Sequence, residues 1–177
     1  MSPEAPKPTE EKIVDLNRLV EILQLKKGEG KTIGLITGGF DIIHVGHIRL
    51  FQFAKISTDI LVIGVEQDET IRLSKGQLRP VNPLAARCDV LSSVYNVDYI
   101  FAVPFVFRYG EVEKVDKQYT KLYRQLMPNF LITNIAADSF WELKQKSAQD
   151  IGIGFFGQIT PKDTSSSSIA KIIQGEI

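Results

Sequence analysis

Cysteine is nearly absent from this chain, and so are long hydrophobic runs and any excess of one charge. The one cysteine, Cys88, cannot form an internal disulfide. No apolar run approaches the roughly twenty residues of a membrane-spanning helix, and no segment has the pattern of a signal peptide. Lys and Arg together number 21, as do Asp and Glu. These absences predict a soluble, cytoplasmic protein whose partner is neither a membrane nor a nucleic acid.

The length and the N-terminal composition predict one domain behind a short tail. A chain of 177 residues is long enough to form a sizeable core. Residues 1–8 contain three prolines among polar residues, which predicts a disordered tail and leaves 9–177 as the domain. A helix is predicted over 9–28, with Thr9 as its cap and Gly28 at its end. Its apolar stripe consists of Ile13, Leu16, Leu19, Val20 and Leu23.

Short apolar runs alternate with amphipathic segments along the chain. The run 60–65 is apolar throughout, as in a strand that is buried on both faces of a parallel sheet. Further strands are predicted at 33–36, 99–103, 130–133 and 151–156, with helices between them. This alternation predicts a Rossmann-like α/β fold, with three α/β/α layers around a mostly parallel sheet of about five strands. Ligands of such folds bind beyond the carboxyl ends of the strands.

The most informative stretch reads TGGFDIIHVGH over residues 37–47. Glycines let the backbone approach a ligand closely, and the start of a helix offers unpaired N–H groups to an anion. The chain's two histidines, His44 and His47, are three residues apart here, so a helix would place both on one face. Either histidine alone is more often ordinary packing, and a zinc site would lack a third ligand. Together with the glycines, the pair indicates a phosphate site.

The spacing Gly-x-Phe-Asp-x-x-His-x-Gly-His resembles the signature of the small nucleotidyltransferases, the cytidylyltransferase-like superfamily. The resemblance implies transfer of a nucleoside monophosphate unit from a nucleoside triphosphate to a small phosphorylated acceptor, with release of pyrophosphate. It implies catalytic roles for His44 and His47, and Mg²⁺ that is held by the triphosphate rather than by protein ligands. The residues that it assigns to the nucleotide are Thr37, Gly38, Gly39, Phe40 and Asp41.

A second motif reads KGQLRPVNPLAAR over residues 75–87. Asn82 and Pro83 are predicted as the N-cap and first position of a helix. On that helix Arg87 falls on an otherwise apolar face, where either a ligand phosphate or a structural ion pair would balance its charge. Lys75 and Arg79, taken alone, are interpreted as part of a solvated basic loop.

The Lys-Gly-x-x-Arg-Pro pattern is similar to that of sugar-phosphate nucleotidyltransferases, in particular the heptose-phosphate adenylyltransferase domain. That resemblance implies that Lys75 acts in catalysis and that Arg79 and Arg87 hold substrate phosphates. Asp68 follows the strand predicted at 60–65. It either caps the next helix or, as in similar enzymes, contacts the nucleotide or the acceptor.

Residues 104–127 fit the resemblance less well, because the connection is longer than in the heptose-phosphate relatives. It begins with an aromatic loop and continues as an amphipathic helix that ends before Pro128. The helix either packs on the sheet or reshapes the acceptor pocket or a dimer face. The apolar positions of that helix are Val112, Val115, Tyr119, Leu122 and Leu126.

The two remaining motifs of the superfamily are altered here. Near Asp138 relatives carry glycines and a lysine that are missing from this chain, so Asp138 either takes the acidic part toward base and ribose or caps the helix through Trp141. The serine run resembles the Ser-Thr-Thr-x-Ile motif that binds triphosphate, which assigns Ser165, Ser166 and Ser167 to the nucleotide. Thr160 stands where glycerol-phosphate cytidylyltransferases have an arginine, and Lys162 is the nearest cation.

These observations predict a nucleotidyltransferase that favours ATP and a sugar or polyol phosphate, similar to heptose-1-phosphate adenylyltransferase. A CTP-dependent cytidylyltransferase of the glycerol-3-phosphate type is the first alternative. A nucleotide-binding regulatory protein without turnover is the alternative of another class. Relatives are commonly dimers, so a homodimer is expected.

Overall fold

The structure is a computed structural model that describes residues 8–159 and 165–175. Thr160, Lys162 and most of the predicted tail lie outside the described residues. Over these ranges the strands are β1 (Ile33–Gly38), β2 (Ile60–Val65), β3 (Tyr99–Ala102), β4 (Phe130–Asn134) and β5 (Gly154–Gln158). The helices are α1 (Thr9–Lys12), α2 (Leu16–Gly28), α3 (Val45–Ser57), α4 (Asp68–Lys75), α5 (Leu84–Ser92), α6 (Val112–Leu126), α7 (Trp141–Ile151) and α8 (Ser166–Gly175).

The strands form one parallel sheet in the order β3-β2-β1-β4-β5. The chain moves outward from the central β1 to β3, then crosses to place β4 on the other side of β1. The gap between β1 and β4 is therefore the point at which the strand order reverses, where open α/β sheets bind their ligands. The predicted Rossmann-like fold is confirmed.

Two apolar layers cover the sheet because successive side chains of a strand point to opposite faces. Ile33 and Leu35 of β1 belong to the layer that packs on α2, α6 and α7. Ile36 belongs to the other layer, with Phe51 and Leu91 from α3 and α5. Over the described ranges no helix combines the length and the apolar character needed to cross a membrane.

The predicted helix over 9–28 is interrupted just before α2. The N–H of Val14 donates to the carbonyl of Ile100 at 2.9 Å, so the chain is extended where it meets β3. The Asp15 carboxylate then accepts two N–H groups of the first turn of α2 at 3.0 Å. Asp15 rather than Thr9 therefore caps the long helix, because pairing with β3 outweighs the local helical pattern.

The start of α5 and the start of β5 also differ from their predictions. Pro83, not Asn82, is the N-cap of α5, because the Asn82 side-chain amide donates to the carbonyl of Asp41 at 2.7 Å. Helix α7 continues through Ile151 and ends at Gly152, which takes a φ of 74°. The last strand consequently starts three residues later than predicted.

Helix α6 ends where the sequence predicts, whereas α8 leaves apolar side chains exposed. Helix α6 ends before Pro128 as predicted, with Met127 in the left-handed region at a φ of 45°. On α8, Ile172 and Ile173 are 63% and 51% exposed, so these two apolar side chains are not buried within the chain. The homodimer stays a prediction.

Candidate active site

A cavity of about 380 Å³ lies at the carboxyl ends of β1 and β4. Thr37 and Gly38 from β1 and Thr133 and Asn134 from β4 line it where the strand order reverses. The first turns of α3 and α8 and residues of α6 and α7 also line it. The sheet therefore delivers the glycine-rich signature to the place that this fold uses for ligands.

His44 and His47 hold the N-terminus of α3 through their Nδ1 atoms. The Nδ1 atom of His44 accepts the N–H of Gly46 at 3.2 Å, and that of His47 accepts the N–H of His44 at 3.4 Å. The ring centroids are 4.0 Å apart, and both rings line the cavity. The Nε2 atoms are thus left for a ligand.

Both histidines are neutral at pH 7. Burial lowers the pKa of His47 to about 3, with further contributions from the neighbouring His44 imidazole and the Lys75 ammonium. Burial also lowers the pKa of His44. Since Nδ1 is an acceptor in both rings, the single proton of each neutral imidazole lies on Nε2. Two Nε2–H donors therefore lie at the N-terminus of α3, where the helix dipole is positive. This arrangement favours the binding of a phosphate oxygen.

The glycine turn before the histidines leaves little room for side chains. A Cβ at Gly39 would lie 3.3 Å from Ile71, and Phe40 takes a φ of 49°. That conformation costs a residue other than glycine about 1–3 kcal/mol and is found at sites that over-determine it. Residues 37–40 all line the cavity, so four of the five nucleotide residues predicted in this turn share it with the histidines.

Asp41, the fifth, does not line the cavity. Its side chain is fully buried and accepts the Arg79 Nε–H at 2.6 Å. Its other carboxylate oxygen accepts the N–H groups of Val81 and Asn82 at 2.8 and 3.0 Å. Asp41 and Arg79 therefore join the signature to the second motif instead of facing a ligand.

The serine run reaches the cavity from the start of α8. Ser165, Ser166 and Ser167 line it, and the Ser166 hydroxyl donates to the carbonyl of Ile42 at 2.9 Å. The guanidinium of Arg79 donates to the carbonyl of Ser166 at 3.4 Å. A second helix N-terminus is thereby held beside the histidines. Arg79 supports this junction and does not itself line the cavity.

Arg87 is occupied by the protein. Its guanidinium donates to the carbonyls of Gly39, Asn82 and Glu66, and pairs with Asp68 at 2.7 Å. Its side chain is fully buried and does not line the cavity. These contacts match the structural ion pair, not the phosphate site that the resemblance implies. Asp68 is the partner, so its carboxylate neither caps α4 nor lines the cavity.

Lys75 lines the cavity from the last position of α4. The sequence predicts it in a polar loop, but α4 continues to Lys75 because Gly76, at a φ of 96°, ends the helix. The charge of Lys75 contributes to the low pKa of His47. Lys75 and His47 therefore act on the same part of the cavity.

Asp138 is bound to a lysine that the sequence analysis missed. The carboxylate accepts the Thr133 hydroxyl at 2.5 Å, the Phe140 N–H at 2.9 Å and the Lys144 ammonium at 2.7 Å. Burial by itself would raise the pKa of Asp138, and the ammonium with these hydrogen bonds outweighs it and lowers the pKa. The only signal for Lys144 was a lysine early in the helix after β4, which many surface helices share.

The segment 104–127 both packs on the sheet and reaches the cavity. Tyr119 and Tyr123 are buried in the layer beneath α6 and also line the cavity, as does Tyr109. The hydroxyls of Tyr109 and Tyr119 meet the carboxylate of Glu66 at 2.8 and 3.4 Å. Glu66 was missed as well, and its signal was a carboxylate directly after the buried strand β2.

The cavity does not supply a protein cage for a divalent cation. Over the described ranges no three His, Cys, Asp or Glu side chains form a group that could hold a metal ion. A magnesium ion that is held by the triphosphate stays a prediction.

Comparisons with known proteins agree with this geometry. Residues 35–171 match a protein family described as Cytidylyltransferase-like. The chain is 38% identical over 89 residues to the bifunctional protein HldE of Geobacter metallireducens, covering 50% of the chain and 18% of that protein. It is 40% identical over 93 residues to the bifunctional protein HldE of Nitratiruptor sp., covering 52% and 20%. The matched region is about a fifth of the length of these curated relatives.

Solved structures share the fold. A lipopolysaccharide core biosynthesis protein from Thermoplasma volcanium superposes with a TM-score of 0.54 at 24% identity, over 75% of this chain and 100% of that chain. Pantothenate synthetase from Thermus thermophilus superposes with a TM-score of 0.62 at 15% identity, over 90% and 70%. The family match extends over most of the chain and includes both motifs. The chain therefore belongs to the cytidylyltransferase-like family, and its α/β domain is of the nucleotidyltransferase class.

Proposed function

We propose that the domain transfers a nucleoside monophosphate unit, with ATP as the favoured donor, to a sugar or polyol phosphate and releases pyrophosphate. The observation that carries this proposal is the pair of neutral imidazoles at the start of α3, which share one cavity with the serine-rich start of α8. The similarity of the Lys-Gly-x-x-Arg-Pro segment to heptose-phosphate adenylyltransferases supports the acceptor class.

The reaction is an in-line displacement at the α-phosphorus. An oxygen of the acceptor phosphate attacks, a new P–O bond forms, and the bond to pyrophosphate breaks. A phosphate monoester has a second pKa of about 6, so the nucleophile is already largely dianionic at neutral pH. The protein therefore needs no strong general base, and its contribution is positioning and the stabilisation of charge.

The residues divide this task by position. His44 and His47 donate Nε2–H hydrogen bonds to α-phosphate oxygens as negative charge increases there. Lys75 supplies positive charge beside them, and the N–H groups and hydroxyls at the start of α8 receive the outer phosphates. Mg²⁺, when it enters with the triphosphate, shields charge on the phosphate oxygens.

Pyrophosphate release tests the proposal. The purified chain is incubated with Mg²⁺, ATP or CTP and a panel that contains glycerol 3-phosphate and a heptose 1-phosphate. The expected result is release that depends on both substrates and is faster with ATP and the sugar phosphate. Faster release with CTP and glycerol 3-phosphate would favour the cytidylyltransferase alternative.

A nucleotide-binding regulatory protein is the candidate of another class. The superfamily glycines and lysine missing near Asp138 favour it, since they help hold base and ribose in similar enzymes. Binding and turnover separate the two candidates. Thermal stabilisation by ATP without pyrophosphate release on any acceptor would support the regulatory protein and contradict the enzyme.

A further inference from the structure

We propose that Glu66, with Tyr109 and Tyr119, recognises the uncharged, hydroxyl-bearing body of the acceptor. The inference rests on the proposed function and adds to it, because it assigns acceptor specificity to three residues that no motif marks. The three side chains form what we call the acceptor pocket. It joins β2 to the segment 104–127, which the resemblance implies to be longer than in similar enzymes.

The acceptor pocket is built around a buried carboxylate. Glu66 directly follows β2, is 5% exposed and lines the cavity. Tyr109 donates to its Oε2 at 2.8 Å, and Tyr119 donates to its Oε1 at 3.4 Å. Burial raises the pKa of Glu66. Among the described residues no lysine or arginine forms an ion pair with it, so the two tyrosine hydroxyls are the partners that offset the cost of burying this group.

The pocket presents hydrogen-bond acceptors. Each tyrosine has one O–H donor, and Glu66 already receives it. Burial beside the carboxylate raises the pKa of both tyrosines well above 10, so the hydroxyls stay protonated. The lone pairs left on the three groups can only accept. A ligand that binds them must bring donors, and hydroxyl groups and ammonium groups are the two candidates.

The charges of the cavity favour hydroxyl groups. Among the described residues that line it, three are acidic (Glu66, Asp116 and Asp138) and three are basic (Arg49, Lys75 and Lys144). Acidic and basic side chains are therefore equal in number around the cavity. The charges of Lys144 and Lys75 already act on Glu66, so an additional ammonium would meet two cations, and a ligand carboxylate would meet Glu66 and Asp138.

Aromatic rings give the pocket its apolar side. The rings of Phe107 and Tyr109 lie 5.4 Å apart and those of Tyr109 and Phe140 lie 5.1 Å apart, and all three residues line the cavity. A hydroxylated carbon chain places C–H groups against such rings while its O–H groups bond to acceptors at their edge. An uncharged sugar or polyol body meets both demands.

Calorimetry on matched phosphates tests the assignment. Glycerol 3-phosphate, phosphoethanolamine, 3-phosphoglycerate and a heptose 1-phosphate are titrated into the full chain with a non-hydrolysable ATP analogue present. The two hydroxylated phosphates should bind at least tenfold more tightly than the ammonium or carboxylate compounds. Glu66→Gln should weaken them about tenfold to a hundredfold, because an NH2 donor replaces one of the two oxygens of the carboxyl group. The Kd of the ATP analogue should change less than twofold.

Controls separate recognition from folding. Glu66→Gln keeps the shape and removes a buried charge, so it should fold, and circular dichroism checks this. Tyr109→Phe should weaken the hydroxylated phosphates about threefold to tenfold, whereas Tyr95→Phe, the same change at a 67% exposed residue, should have no effect.

Three results would overturn the assignment. The first is that phosphoethanolamine binds more tightly than the hydroxylated phosphates. The second is that Glu66→Gln weakens the ATP analogue as much as it weakens the hydroxylated phosphates. The third is that the chain binds nucleotide but does not bind the hydroxylated phosphates. A ternary complex that forms with ATP but releases no pyrophosphate would contradict the proposed enzyme alone and leave the recognition intact.

Discussion

The Nδ1 atom of His47 accepts the backbone N–H of His44, and the two rings lie with their centroids 4.0 Å apart at the start of α3. One residue therefore closes the helix turn that positions the other. The His44 ring in turn accepts the N–H of Gly46, so each ring uses Nδ1 for the backbone and keeps Nε2–H for the cavity that both residues line. The two histidines therefore share one geometry, and both carry their proton on Nε2.

Replacing His47 should abolish most of the turnover without unfolding the chain. His47→Ala removes one hydrogen-bond donor to the α-phosphate oxygens, on which negative charge increases during the reaction. Loss of such a donor costs on the order of 10²–10³ in rate. The measurement is pyrophosphate release at saturating ATP and acceptor. Gln52→Ala, on an exposed position of the same helix, is the matched control and should retain full turnover. Near-normal turnover by His47→Ala would contradict the catalytic role.

The low pKa of His47 should make the fold sensitive to acid. Its pKa is 6.5 in the unfolded chain and about 3 in the native state, so between these values the unfolded chain binds a proton that the native state does not. The contribution of neutral His47 to the free energy of unfolding is therefore fully present above pH 6.5, and it is lost as the pH falls toward 3. From pH 7 to 4.5 the wild type should lose on the order of 2 kcal/mol more than His47→Gln. Urea unfolding at both pH values measures the difference, and parallel losses would contradict it.

The absence of a side chain at Gly46 should be needed for the position of the His44 ring and not for the stability of α3. A Cβ at Gly46 would lie 3.0 Å from Cε1 and 3.1 Å from Nδ1 of the His44 ring. Gly46→Ala should then displace the ring by a few tenths of an ångström and lower turnover about tenfold or more. Alanine favours a helix over glycine by roughly 0.5–1 kcal/mol, so the melting temperature should not fall.

The control for Gly46→Ala is Gly28→Ala at the end of α2, where an added Cβ meets nothing within 4 Å. It should leave turnover unchanged. If Gly46→Ala lowered the melting temperature and turnover together, the glycine would serve the fold and not the ring.

Local patterns predicted the sheet and the histidine pair, because each depends on residues that are close in sequence. The apolar runs of β1 and β2 are continuous, and the two histidines need only one turn of helix to share a face. Asp138 and the serine run, which the resemblance connects with the nucleotide, line the same cavity as the histidines. Asp138 follows β4, and the serine run lies at the start of α8. The carboxyl end of β4 and the first turn of α8 both border the cavity.

What the sequence could not predict depends on contacts between distant segments. The Arg87 guanidinium contacts a carbonyl 48 residues away, and Tyr109 lies 43 residues from Glu66. No spacing indicates which of two neighbouring carboxylates, Glu66 or Asp68, faces the cavity and which faces Arg87. The direction of one side chain at the end of β2 decides it. The break before α2 likewise depends on pairing with β3, which the periodicity of the helix does not contain.

Arg87 should prove to be a structural residue. Arg87→Met removes the donors to three backbone carbonyls and the partner of Asp68. Each buried polar group left unpaired costs about 1–3 kcal/mol, so the variant should lose at least about 3 kcal/mol of stability. Arg72→Met is the matched control, since the Arg72 and Glu69 side chains are 37% and 48% exposed, and it should cost at most about 1 kcal/mol. Urea unfolding measures both losses. An Arg87→Met chain that is as stable as the wild type but no longer binds the acceptor would restore the phosphate-binding role that the resemblance implies.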